Sequence, residues 1–256
     1  MSRIDLVMVG PGGRRWQLGP AAVELDVIDG FGTAPHVRVV VADGDRRLLA
    51  DPVVDGVPHV MWQDRRFELA GTAKTGHYVT LTFEDWRVRR LRAQEGERTV
   101  SEATKMAAFI RRLARDAKIP APRVAVKDTD RQYGRGDEET SWDAIVRLAR
   151  EVQARVWMGP DGLWAGDDRH MSHGKAETMV EEASGPVDRI DFASDTSRSF
   201  VDRATVDVRG GDLQPGQPMR IRRIRPLAGR WLVDSVWWQQ HRDVQRVELI
   251  RPGGGL

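Results

Sequence analysis

Residues 229–252 read GRWLVDSVWWQQHRDVQRVELIRP, two β-strands around a short polar turn. The first strand is apolar on both faces, with Trp231, Val233 and Trp237 alternating with Leu232, Val236 and Trp238. Just upstream, residues 219–225 read MRIRRIR and supply Arg220, Arg222, Arg223 and Arg225. Adjacent residues on a strand point to opposite faces, so Trp237 and Trp238 cannot enter one core. One of them needs a second covering layer, from another domain or another chain. Burying an indole contributes about 2–3 kcal/mol, and leaving it wet invites aggregation. An assembly interface supplies such cover, and interfaces enrich Trp and Arg together. Trp231, Trp237, Trp238 and the four arginines are therefore the candidate oligomer or partner interface.

Working outward, the C-terminal region from 179 is β. VDRATVDV (201–208), QPMRIRRI (217–224), RWLVDSVWW (230–238) and QRVELI (245–250) are short strands between turn sequences. Residues 98–178 change period. In TVSEATKMAAFIRRLARDAKIP, Ala103, Ala107, Ile110 and Leu113 recur at helical spacing, with Ser101 as N-cap and Pro120 as stop. The polar stretch 127–140 reads as a loop. A second helix follows, capped by Thr140 or Ser141, with Trp142, Ile145, Leu148, Ala149 and Val152 on its apolar face. It leads into a hairpin, VWM and LWAG around Gly-Pro-Asp-Gly, and Trp142, Trp157 and Trp164 read as core anchors. Residues 1–97 are again β, with strands in RIDLVMV, HVRVVV and the span 61–86. The predicted fold is α+β and mainly β. Two β-barrel-like or split-barrel domains (1–97 and 179–256) flank a small α+β unit with two helices (98–178).

A chain of 256 residues, 40% apolar and 30% charged, can bury a core. It has no run of eighteen apolar residues and no secretory leader pattern, so no membrane insertion is expected. Cysteine is absent, which excludes disulfides, Cys nucleophiles and thiolate metal sites. Basic and acidic residues nearly balance, 40 against 38, which disfavours a dedicated nucleic-acid binder. Thirty-five of the forty basic residues are arginine. A GC-rich genome accounts for that bias; planar pairing with carboxylates and stacking on tryptophan are the functional alternative.

Catalytic patterns are weak. His170 and His173 beside Asp167 and Asp168 could ligate a metal, but no further ligands lie near and a surface loop is the better account. Asp137, Glu138 and Glu139 precede a helix, where negative charge favours its N-terminus. The glycine-rich segments 10–13 and 209–211 lack a following Lys-Ser/Thr and read as turns. No cofactor, metal or enzymatic activity is expected.

The order of segments resembles the tail hub, or minor tail, proteins of siphophages infecting actinobacteria. HVRVVVADGDRRLLADP (36–52) resembles an element near their start, and TLTFEDWRVRRLRAQEG (80–96) their following strand, acid and leucine-rich exit. Residues 99–119 and 139–168 are similar to their two helices, the second running into a hairpin. Residues 216–252 are similar to their terminal barrel, ending V-x-L-x-R-P. The resemblance implies a structural protein at the virion tail tip or baseplate hub. It implies a homotrimeric ring between the hexameric tail end and distal tip, fibre or spike proteins. It implies contacts with distal tail and tape-measure proteins, a closed or lined channel through which DNA passes, and assembly in the host cytoplasm. No appended cell-wall hydrolase is expected, since the chain lacks a Cys for one and stops at RPGGGL.

Two other classes compete. A carbohydrate-binding module would use surface tryptophans to hold cell-wall sugars. An enzyme would draw a carboxylate pair from Asp137, Glu138, Glu139, Asp167 and Asp168.

Overall fold

The structure is a computed structural model, and it describes residues 6–10, 13, 15–18, 22–43, 58–96, 98–99, 104–128, 130–181, 187–193, 203–209, 212–225, 227–239 and 244–253. Strands β1 (Val7–Val9), β2 (Arg15–Gln17), β3 (Ala22–Gly30), β4 (His36–Ala42), β5 (His59–Trp62), β6 (Arg65–Thr75) and β7 (Tyr78–Asp85) run into helix α1 (Trp86–Arg92). The middle holds β8 (Arg98–Thr99), β9 (Thr104–Lys105), α2 (Met106–Asp116), β10 (Arg123–Ala125), β11 (Asp130–Arg131) and β12 (Gly134–Arg135). It continues with α3 (Ser141–Glu151), β13 (Arg155–Gly159), β14 (Gly162–Gly166) and α4 (Asp168–Met171). Strands β15 (Thr178–Glu181), β16 (Val187–Ala193), β17 (Arg203–Arg209), β18 (Pro218–Arg222), β19 (Gly229–Gln239) and β20 (Val244–Ile250) complete it.

The fold is α+β and mainly β, as the alternation predicts. The two β regions do not form separate closed barrels among the described residues. They share one open sheet, ordered β16-β17-β20-β19-β3-β4-β7-β6-β5-β1-β2, with β18 and β15 branching from β19. Strand β19 is the stitch. Its first half pairs with β18 (Met219 opposite Trp231), its second half with β3 (Trp237 opposite Ile28), and β20 runs along its other side. A bulge between Val233 and Ser235 marks the change of neighbour.

Three main cores result. One, on the N-terminal sheet, includes Leu25, Val37, Phe67, Leu81 and Phe83; one, C-terminal, includes Val206, Met219, Trp231, Val233 and Val247. The third packs α2 and α3 on the β13–β14 hairpin, with Phe109, Ile110, Trp142, Ile145 and Leu148 inside. Helix α3 matches its pattern, and Thr140 Oγ1 caps it by accepting from Asp143 N. Helix α2 differs from expectation at its start. It begins at Met106 behind the short strand β9, and the Asp128 carboxylate accepts from Ala107 N at 3.1 Å. Ser101 and Ala103 lie outside the described residues. The stretch read as a loop contributes β11 and β12, which pair with β9 and β8. Helix α1 was not expected; Asp85 caps it directly off β7. No described helix is long and apolar enough to cross a membrane.

Candidate assembly interface

The bulge in β19 inserts one residue, Asp234, and resets the side-chain alternation. Trp231, Val233, Val236 and Trp238 therefore share the inner face, while Trp237 turns outward; the uninterrupted alternation of the sequence reading places Trp237 with Trp231 and is corrected here. Trp231 is 0% exposed, donates from Nε1 to the Leu227 carbonyl at 2.7 Å, and lies 4.0 Å beneath the Arg251 guanidinium. Trp238 is half-buried on the N-terminal core, its ring 5.0 Å from that of Trp62. A second covering layer for one tryptophan thus comes from the other half of the same sheet.

Trp237 occupies a row that crosses eight strands on the outer face. Directly opposed pairs give Asp207, Arg246, Trp237, Ile28, His36, Glu84, Glu68 and His59 in succession. Each of them except Glu84 is partly exposed. Arg246 donates from Nε to Asp207 at 2.9 Å, and Arg92 pairs with Glu84 at 2.5 Å. The Trp237 Nε1 is buried yet has no hydrogen-bond partner among the described residues. Of the four arginines, Arg220 lies on β18 and pairs with Glu177 at 3.1 Å. Arg222 ends that strand, and Arg223 and Arg225 are exposed in the turn beyond it, Arg223 at a φ of 65°. They and Trp237 therefore lie on different elements, with β18 pairing only the first half of β19.

A charged junction inside the molecule escaped the sequence reading. Asp29, Arg65 and Asp85 come from β3, β6 and β7. Arg65 donates to Asp29 Oδ2 at 2.6 Å, to Asp85 Oδ2 at 3.2 Å and to the Met158 carbonyl at 2.7 Å. Arg87 of α1 holds the same Asp85 at 2.8 and 3.0 Å and reaches the Pro160 carbonyl at 3.0 Å. Trp157 Nε1 donates to Asp29 Oδ1 at 2.8 Å. Burial pushes the Asp29 carboxyl above the usual carboxylate range against the pull of Arg65 and Trp157. Burial also works against the Arg65 charge, but the Asp29 and Asp85 carboxylates outweigh it and raise its pKa. Next to this group, the Lys175 ammonium sits 4.1 Å over the Trp157 ring and donates to the Pro215 carbonyl. Burial lowers its pKa to about 8, opposed by Asp29 and Asp161. Arg155 completes the junction, donating to Asp168 at 2.5 Å and lying 3.6 Å from Asp234 in the bulge. Burial raises the Asp234 carboxyl, with Arg155 opposing. The arrangement clamps the N-terminal sheet, the β13–β14 hairpin and the β19 bulge to one another.

Trp157 and Trp164 face each other across the hairpin and form a small cluster with Met171 and Phe31 beside that clamp, apart from the main helical core. The remaining candidate groups are engaged locally. Glu139 binds Arg147 at 2.7 Å, which together with the Gly136 N–H holds its carboxyl below the usual range. Asp167 caps α4, Asp168 serves Arg155, and the His170 ring packs 5.5 Å from Trp164 with Nε2 3.3 Å from the Arg123 carbonyl. Asp137 and Glu138 are exposed ahead of α3.

No protein-family model and no curated protein matches the chain by sequence. Solved structures do match. The 43 kDa tail protein of prophage MuSo2 from Shewanella oneidensis aligns over 97% of both chains with a TM-score of 0.69 at 10% identity. A tail protein from Neisseria meningitidis covers 98% of this chain and 96% of its own, with a TM-score of 0.65 at 14% identity. The E. coli c3393 protein covers 92% of this chain and 75% of its own, with a TM-score of 0.69 at 12% identity. That protein is a component of the type VI secretion system with structural similarity to the T4 tail proteins gp27 and gp5. Over the described residues, the chain has the fold of these tail proteins.

Proposed function

We propose that this chain is a structural, non-catalytic virion protein of the tail tip. It forms a homotrimeric hub that joins the hexameric tail end to distal tip, fibre or spike proteins and lines or closes the tail channel. Distal tail and tape-measure proteins are its neighbours, passing DNA is a transient contact, and assembly takes place in the host cytoplasm. The observation that carries this reading is the fold shared over 97% of both chains with a prophage tail protein. The narrower type, from siphophages of actinobacteria, rests on the residue pattern of 36–52, 80–96 and 216–252. Trp237 is the indole left over for a partner in this reading. Trp231 is fully covered within the chain and Trp238 half-covered by Trp62, whereas the outward Trp237 has a donor that meets no partner among the described residues.

The mass in solution tests it. Three chains of 28.8 kDa give a particle of about 86 kDa by light scattering. Trp237→Glu is expected to shift that particle to monomer while leaving the far-ultraviolet circular dichroism of the fold unchanged, and antibody labelling is expected to mark the tail tip. A wild-type chain that stays monomeric at every concentration, with Trp237→Glu indistinguishable from it, would sink the trimer and its seam.

A further inference from the structure

A cleft of about 580 Å³ opens between α4 and the C-terminal sheet, away from the Trp237 row. Its lining brings together three guanidinium-bearing residues from separate segments: Arg169 on α4, Arg230 on β19 and Arg251 just past β20. Apolar and small groups, Pro218, Leu232 and Pro252 among them, fill the spaces between. Arg251 stacks on Trp231 and donates to the carbonyls of Ala228 and Arg230, so it is fixed in place. Arg230 is 68% exposed and shares Glu177, at 3.3 Å, with Arg220; Arg169 is exposed. Among the described lining residues Asp168 is the one acid; it accepts from Arg155 at 2.5 Å and from Gly253 N at 2.8 Å, so its charge is turned to structural use.

We infer that this cleft docks an extended acidic peptide segment of a partner protein, its carboxylates held by Arg169 and Arg230 and an apolar side chain lying over Leu232 and Pro218. The volume falls in the range that seats a short ligand. Guanidinium groups bind carboxylates in forked geometry, and two of them on different elements fix direction as well as charge. A peptide suits the cleft better than a nucleic-acid backbone. Between its carboxylates a peptide presents apolar side chains that fit the Leu232 and Pro218 lining, which offers nothing to a phosphodiester.

Fluorescence anisotropy of the full chain tests the assignment, using a fluorescein-labelled octapeptide of alternating glutamate and leucine. The same peptide with lysine in place of glutamate, and a labelled single-stranded 20-mer DNA, serve as comparisons. The acidic peptide is expected to bind saturably and to weaken as salt rises. Its affinity is expected to fall about tenfold or more in the double variant Arg169→Gln, Arg230→Gln, the cost of losing two charge-assisted contacts. Arg112→Gln, exposed on α2, is expected to leave it unchanged. Arg169 and Arg230 are both exposed, so the variant folds, and near-ultraviolet circular dichroism of the tryptophans verifies it. The assignment is overturned by no saturable binding up to millimolar peptide, by equal binding to the double variant, by equal loss in Arg112→Gln, or by DNA binding more tightly than the acidic peptide.

Discussion

Replacing Lys175 with Met gives the most quantitative test of the interior clamp. The native ammonium is wedged against Trp157 and the Pro215 carbonyl, and burial lowers its pKa from 10.5 to about 8. A depressed lysine means that the folded state binds the proton less tightly than the unfolded chain. Its burial penalty is therefore fully present below pH 8 and fades as pH rises towards 10.5, so this one group makes the fold more stable with rising pH. Each pKa unit is worth about 1.36 kcal/mol, so the gain between pH 7 and pH 10 is about 2.5 kcal/mol. The Met variant has no such slope. It also removes the hydrogen bond to the Pro215 carbonyl, a loss of roughly 1–3 kcal/mol that adds a constant offset, whereas the cation–π contact belongs to the charged form and fades with it. Guanidinium unfolding of both proteins at pH 7, 8, 9 and 10 isolates the effect, because all other titrating groups cancel in the difference. The variant is expected to fall behind the wild type by about 2.5 kcal/mol more at pH 10 than at pH 7. A difference that stays flat within about 0.5 kcal/mol across the series refutes the buried ammonium.

Two further perturbations address the stitch and the charged junction. Gly30→Ala places a methyl 2.8 Å from Ser235 Cβ, with strand backbone behind it, so β3 and β19 must part; a loss of about 1–3 kcal/mol in chemical unfolding is expected. Arg65→Met leaves the Asp29 carboxylate without its cation, while Asp85 keeps Arg87, and breaking such a buried pair costs about 3–5 kcal/mol at neutral pH. Because the Asp29 pKa is already raised, the folded variant takes up a proton more readily than the unfolded chain. Stability is expected to recover as pH falls from 7 to 5, and an unfolding midpoint that only worsens on acidification refutes that account.

Much of the fold was legible because periodicity reports burial. The 3.6-residue pattern of Trp142, Ile145 and Leu148 located α3, and the paired strands of the C-terminal region matched their alternation within a residue or two. What remained hidden was non-local. Nothing around Asp234 announces a bulge, because it falls where the partner changes from β18 to β3, two strands far apart in sequence. That single insertion decides which of Trp237 and Trp238 faces out. Helix α1 is only seven residues long and follows a strand without a break, too short for a period to declare itself. The clamp, by contrast, did leave a trace. Asp29 shares strand parity with Leu25 and Val27, Arg65 with Phe67, and Asp85 with Phe83 and Leu81, so each places a charge on an apolar stripe at a strand end. Three such intrusions at inward positions are a readable sign that the charges meet.

The pairing of β3 with β19 also governs how the chain can be made. One edge of β3 is covered early by β4, but the strand that covers the other is encoded near the far end of the chain. During synthesis at roughly 5–20 residues per second, that edge waits open for on the order of ten seconds or longer. Open strand edges recruit wrong partners. Closure of this sheet is thus tied to the emergence of β19, and a product that stops short of it would carry a sticky border where the folded chain has a seam.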